Sequence, residues 1–233
     1  MENKNFRTIP LQVCGLHVRE KEGKQSRVIE GHAVVYGVRS VNLTPWNDKR
    51  EIYEVIEPGS ITQQLINRSD VVLTAFHNNE KILGRSTNGS GTLTLSLDKK
   101  GLFVRCELPK TVTADEILLA IQRGDIKGMS FAFNDDPEDT NSVSMERRRN
   151  EDHDGKEVWI RHVKRITGLY DVTIAGHPAY PQTDVAQREI DKVLDKTCQN
   201  YGYKRERERQ AHRRRLRLLL ELDNDFILSS LGV

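Results

Sequence analysis

Apolar and polar residues alternate along the first three quarters of the chain in short runs, the period-2 pattern of half-buried strands. The first two runs, 10–19 and 27–38, carry Leu11, Val13, Leu16 and Val18, then Val28, Val34 and Val35. The polar stretch 20–26 between them contains Gly23 and predicts a hairpin. Residues 39–50, with Asn42, Pro45, Asn47 and Asp48, read as a loop, and 51–56 as a short strand. Pro58-Gly59-Ser60 turns the chain, and Ser60 is placed to cap a short helix reaching Ile66. An apolar strand over 70–76 then runs up to His77.

Residues 84–96 predict a hairpin turning at Asn88-Gly89-Ser90-Gly91, and Asp98-Lys99-Lys100-Gly101 turns into another strand at 102–108. Thr113 to Glu116 opens an amphipathic helix with Ile117, Leu118 and Ile121 on one side and Gly124 at its end. Strands follow at 128–133, 158–163 and 169–174, and the polar stretch 134–156 reads as a flexible excursion. Strands this short and numerous predict a mainly β domain, antiparallel and closed into a barrel with a few flanking helices. The β pattern stops at Pro178 to Pro181, so the expected domain covers 1–187. The remaining 188–233 read as a helical or disordered tail, with eight cations against two acids in 204–217 and a leucine-rich cluster after them.

Composition narrows the class. Hydrophobic residues make up 36% and charged residues 30%, a soluble globular balance, and no apolar stretch is long enough to span a membrane. The first residues, Met1 to Thr8, lack the apolar segment of a signal peptide. Three scattered cysteines, Cys14, Cys106 and Cys198, fit a reducing compartment. A formal net charge of +2 is too small to argue for a nucleic-acid partner by itself; the arginine cluster keeps a nucleic-acid-binding module as a lesser alternative to the reading of the basic tail as a solvated or partner-binding helix. His77, His153, His162 and His177 lack metal-ligand spacing, so neither metal nor cofactor is expected.

Three residues could carry chemistry. His77 stands where an apolar strand turns polar, Ser130 sits in a glycine-led apolar strand, and Asp171 puts a carboxylate inside another. Nucleophilic serine chemistry needs such a hydroxyl, a base and a group to orient the base. Each residue also has an ordinary structural reading, as an exposed turn histidine, a space-filling serine and an ion-pair partner. On the pattern alone the chain is a barrel-like domain without an assigned activity.

Five stretches in order change that: 30–37 (EGHAVVYG), 54–60 (EVIEPGS), 72–78 (VLTAFHN), 126–133 (IKGMSFAF) and 169–174 (LYDVTI) running into 178–183 (PAYPQT). Together they resemble the prohead proteases of tailed bacteriophages, distant relatives of the herpesvirus assemblins. The resemblance implies a serine endopeptidase with Ser130 as nucleophile and His77 as general base. Asp171 is its orienting carboxylate, at a position where the family usually carries glutamate; His177 is the alternative third member, by analogy with the second histidine of the herpesvirus enzymes. It points to backbone amides near Ala179 and Tyr180 as oxyanion donors. The implied substrates are major capsid protein and scaffold precursors, and the protease itself, inside the assembling prohead in the host cytoplasm. A homo-oligomer stays open. The alternative is a non-catalytic scaffold or assembly-interaction protein on the same fold.

Overall fold

The computed structural model of the protein describes residues 5–176, except 22–23, 45–47 and 127. The chain opens with β1 (Asn5–Pro10), α1 (Leu11–Cys14), β2 (His17–Lys21), β3 (Lys24–Val35) and β4 (Arg50–Ile56). It continues with α2 (Gln63–Arg68), β5 (Asp70–Ala75), β6 (Asn78–Thr87), β7 (Ser90–Gly91), β8 (Leu93–Leu97) and β9 (Gly101–Glu107). After α3 (Val112–Arg123) come β10 (Gly128–Asp135), β11 (Val143–Arg147), β12 (Glu157–Val163) and β13 (Ile166–Ala175).

The domain is mainly β, but the expected closed barrel is not what the described residues form. They make three open sheets, in the orders β1-β10-β13-β5-β6-β7, β2-β3-β9-β8 and β11-β12-β4. A barrel requires its first and last strands to pair. Here the largest sheet ends on β1 at one side and on the two-residue β7 at the other. Nor is the pairing purely antiparallel, because β5 runs parallel to β13 and β4 parallel to β12.

Other expectations shift locally. The run 10–19 is not one strand: α1 interrupts it, and Gly15 turns the chain at φ 64° into β2. Thr62 rather than Ser60 caps α2, its Oγ1 accepting from the Leu65 amide at 3.1 Å. The turn at Asn88-Gly89 pairs β6 with β7, but β8 leaves that sheet to pair with β9. The excursion after Asp135 is ordered, since Val143 and Met145 alternate into β11 and Ser142 donates to the Arg165 carbonyl at 2.9 Å. The proposed tail, 188–233, lies outside the described residues.

Alternation sorts β10, β13 and β5 into two faces. Met129, Phe131 and Phe133 of β10, Val172 and Ile174 of β13, and Val71, Leu73 and Ala75 of β5 enter one hydrophobic core. They meet Leu102, Val104 and Cys106 of β9 there, with Ile117 and Leu118 of α3 also contributing. The sheets approach closely at Gly84, where a Cβ would stand 2.5 Å from Cys106 Sγ. Opposite faces of the same three strands carry Ser130, Asp171, Thr173 and Thr74, brought abreast by the register. The dense core therefore fixes the backbone on which the polar face is displayed.

A buried ion network joins the largest sheet to the three-stranded one. Glu54 of β4 accepts from Arg7 of β1 at 2.6 and 2.9 Å and from Arg161 of β12 at 2.5 Å. Arg161 also donates to Asp135 of β10 at 2.7 Å. Burial by itself would raise the Glu54 carboxyl, but the two guanidiniums hold it below its ordinary range. Burial pushes Asp135 up, and the neighbouring Glu54 charge adds to this against the pull of Arg161 and, more weakly, Arg7.

Candidate active site

His77 reaches its place through a tight turn. Ala75 pairs with Asn78, so Phe76 and His77 are the two central residues of the β5–β6 hairpin. Both have positive φ, 59° and 53°. A two-residue hairpin of this primed kind favours Asn-Gly, because β-carbons crowd the left-handed region. Holding Phe and His there costs about 1–3 kcal/mol per residue, and such strain persists only where surrounding contacts enforce it. Two hydrogen bonds do so. The Phe76 amide donates to the Ile174 carbonyl at 3.0 Å, and the His77 amide donates to Thr173 Oγ1 at 2.9 Å.

The turn lays the imidazole over the polar face of the sheet. His77 Nε2 stands 2.8 Å from Ser130 Oγ, and His77 Nδ1 stands 3.1 Å from Asp171 Oδ2. Ser130 pairs across β10–β13 with Thr173, and Asp171 lies two residues along the same face. Ser130 is fully buried, Asp171 nearly so, and the imidazole keeps 29% of its side-chain surface exposed. Asp171 Oδ1 is buried without a hydrogen-bond partner among the described residues.

The arrangement can move a proton. A neutral imidazole with its proton on Nδ1 donates to the Asp171 carboxylate and leaves the Nε2 lone pair to accept from the Ser130 hydroxyl. The three side chains singled out from the sequence thus meet in one hydrogen-bonded row. The alternative third member, His177, and the suggested oxyanion donors near Ala179 and Tyr180 lie outside the described residues. Among the described residues, no group of three or more His, Cys, Asp or Glu could hold a metal ion. His162 instead sits between Glu57 and Glu146 at 2.6 and 3.0 Å, and His32 against Asp98 at 2.8 Å. No helix among the described residues is long and apolar enough to cross a membrane.

Sequence reasoning did not single out Thr74 and Thr173. Their signal was present as hydroxyls inside two otherwise apolar strands, but a threonine is also a common β-former and so draws no notice.

No curated protein matches the sequence. Among solved structures, that of the bacteriophage T4 capsid assembly protease is similar at 12% identity over 72% of this chain and 96% of that one. Its TM-score is 0.33, too distant a likeness to bear on this chain. The family of caudovirus prohead serine proteases matches residues 15–196. That span takes in the turn bearing His77, the strand bearing Ser130 and the strand bearing Asp171, and the chain belongs to the caudovirus prohead serine proteases.

Proposed function

We propose that Ser130, His77 and Asp171 are the catalytic triad with which this prohead protease cleaves capsid and scaffold precursors, and itself, within the assembling prohead. The observation that carries the reading is the single imidazole bridging Ser130 at 2.8 Å and Asp171 at 3.1 Å. His77 Nε2 takes the hydroxyl proton as Ser130 Oγ attacks the scissile carbonyl, then returns it to the leaving amine. Asp171 keeps the imidazole in the useful tautomer and stabilises the imidazolium formed during attack. Water then enters by the same proton route and releases the acyl group from Ser130.

Mass spectrometry of the purified chain, alone and after incubation with a capsid-protein precursor, tests this directly. Wild type should yield discrete cleavage products. Ser130→Ala and His77→Ala should each yield none while keeping the wild-type circular dichroism, and the double variant should be no worse than either single one. Wild-type processing by folded Ser130→Ala would refute the assignment and favour a scaffold or interaction role instead.

A further inference from the structure

Thr173 occupies a strand position where an apolar β-branched residue would pack as well, yet its hydroxyl is fully used. It is 0% exposed, stands opposite Ser130 on β10 and opposite Thr74 on β5, and lies two residues from Asp171. Its Oγ1 donates to the Thr74 carbonyl at 2.9 Å and accepts from the Thr74 hydroxyl at 2.8 Å. It accepts a second time from the His77 amide at 2.9 Å. One proton and two lone pairs are all a hydroxyl has, and here each has a partner.

The partner that matters is His77. At this end of β5 the backbone is tied to β13 by the bond from the Phe76 amide to the Ile174 carbonyl. Phe76 and His77 both lie in the left-handed region, and there a side-chain hydroxyl, that of Thr173, receives the His77 amide. Thr74 fixes the rotamer of Thr173, and Thr173 fixes the backbone of His77.

We propose that Thr173 is a positioning residue: its hydroxyl, locked by Thr74, pins the His77 backbone so that the imidazole stands between Asp171 and Ser130. The proposal rests on the catalytic roles assigned above to His77 and Ser130. A misplacement on the order of 1 Å at a reacting group lowers turnover by about 10²-fold. Thr173→Val, which keeps the shape and removes the hydroxyl, should therefore lower kcat about 100-fold with KM within about twofold, since the side chain is 0% exposed and offers a substrate no surface.

The test measures kcat and KM of the full chain on a purified capsid-protein precursor for wild type, Thr173→Val, Thr173→Ser and Ser130→Ala. Thr173→Ser keeps the hydroxyl and should restore most of the wild-type kcat. A kcat for folded Thr173→Val within twofold of wild type overturns the proposal. So does a Thr173→Ser variant as impaired as Thr173→Val, because packing rather than the hydroxyl would then be responsible. Activity in Ser130→Ala would remove the site assignment itself and this proposal with it. Should Thr173→Val fail to fold, hydrogen exchange of the His77 amide in Ser130→Ala decides. Protection comparable to the β5 amides supports the bond to Thr173, and exchange at the rate of an exposed turn amide refutes it.

Discussion

Replacing Asp171 by asparagine removes one charge and preserves shape, so it isolates what the carboxylate does for His77. The amide has two ways to lie. With its oxygen toward His77 Nδ1, its NH₂ enters the position of Oδ1, which is buried and has no partner among the described residues. An unpaired buried donor costs about 1–3 kcal/mol, which favours the flipped amide. Flipped, the NH₂ faces Nδ1 and selects the tautomer protonated on Nε2, and that nitrogen can no longer take the proton of Ser130 at 2.8 Å. The charge counts as well. A carboxylate about 4 Å from an imidazolium contributes about 4 kcal/mol at an effective dielectric near 20. With each 1.36 kcal/mol worth tenfold, that corresponds to a loss of about 10³-fold in kcat. Positioning and electrostatic stabilisation elsewhere survive, so activity should stay measurable above that of Ser130→Ala. Single-turnover cleavage of a capsid precursor under saturating enzyme reads this rate directly. A loss below tenfold in a folded protein would refute the orienting role. If His177→Ala then gave the larger loss, the third position would belong to His177.

Arg161→Leu leaves Asp135 without its guanidinium and Glu54 with Arg7 alone. Breaking a buried pair costs about 3–5 kcal/mol, and at about 2–4 °C per kcal/mol for a domain of this size Tm should fall by about 6–20 °C. A loss under about 1 kcal/mol by urea denaturation would mean the network contributes no net stability. Asp70 accepts from Arg85 at 2.7 Å in a two-pronged pair on the surface, and that bond lowers its carboxyl to about 2. The pair therefore stabilises the folded state above the ordinary carboxylate value, and this contribution is lost as pH falls through about 2. Side-chain carboxyl NMR should show this midpoint, and Arg85→Gln should return it towards 3.8. We also propose that the basic segment after residue 187 is an address for an acidic partner. A chain truncated after Gln187 should fold and cleave a peptide yet fail to enter proheads, whereas an insoluble or inactive product would refute the division.

Local patterns were legible where a strand's own alternation specifies it. The alternation at 128–133 predicted β10 because Met129, Phe131 and Phe133 are its buried face. Gly124 was readable as a helix end because the left-handed C-cap, φ 78° here, favours a residue without a β-carbon. Sheet assignment was not legible in the same way. The turn at Asp98-Lys99-Lys100-Gly101 marks β8 and β9 as neighbours, but nothing near Leu93 or Leu95 says that β8 leaves β6, since that choice depends on which apolar faces meet. The polar run after Asp135 misled for a related reason. Val143 and Met145 alone are too few to mark a strand, and β11 forms because β12 offers its edge and Ser142 closes the turn.

The site was legible in its chemical types but not in its geometry, and the difference lies in one turn. Ser130 and Asp171 are 41 positions apart in the sequence, yet neighbouring antiparallel strands bring them to one face, which a strand count alone does not specify. His77 is harder still. A Phe-His pair carries no hairpin signal, because the turn it makes favours Asn-Gly. Left to its own preferences, the segment would open the turn and swing the imidazole away from the sheet. It holds because the energy comes from elsewhere: Phe76 is tied to Ile174, His77 to Thr173, and Thr173 to Thr74, on strands whose opposite faces are packed into the core. A local rule is broken at the residue proposed as base, and the rest of the domain compensates for the strain, as expected where function overrides propensity.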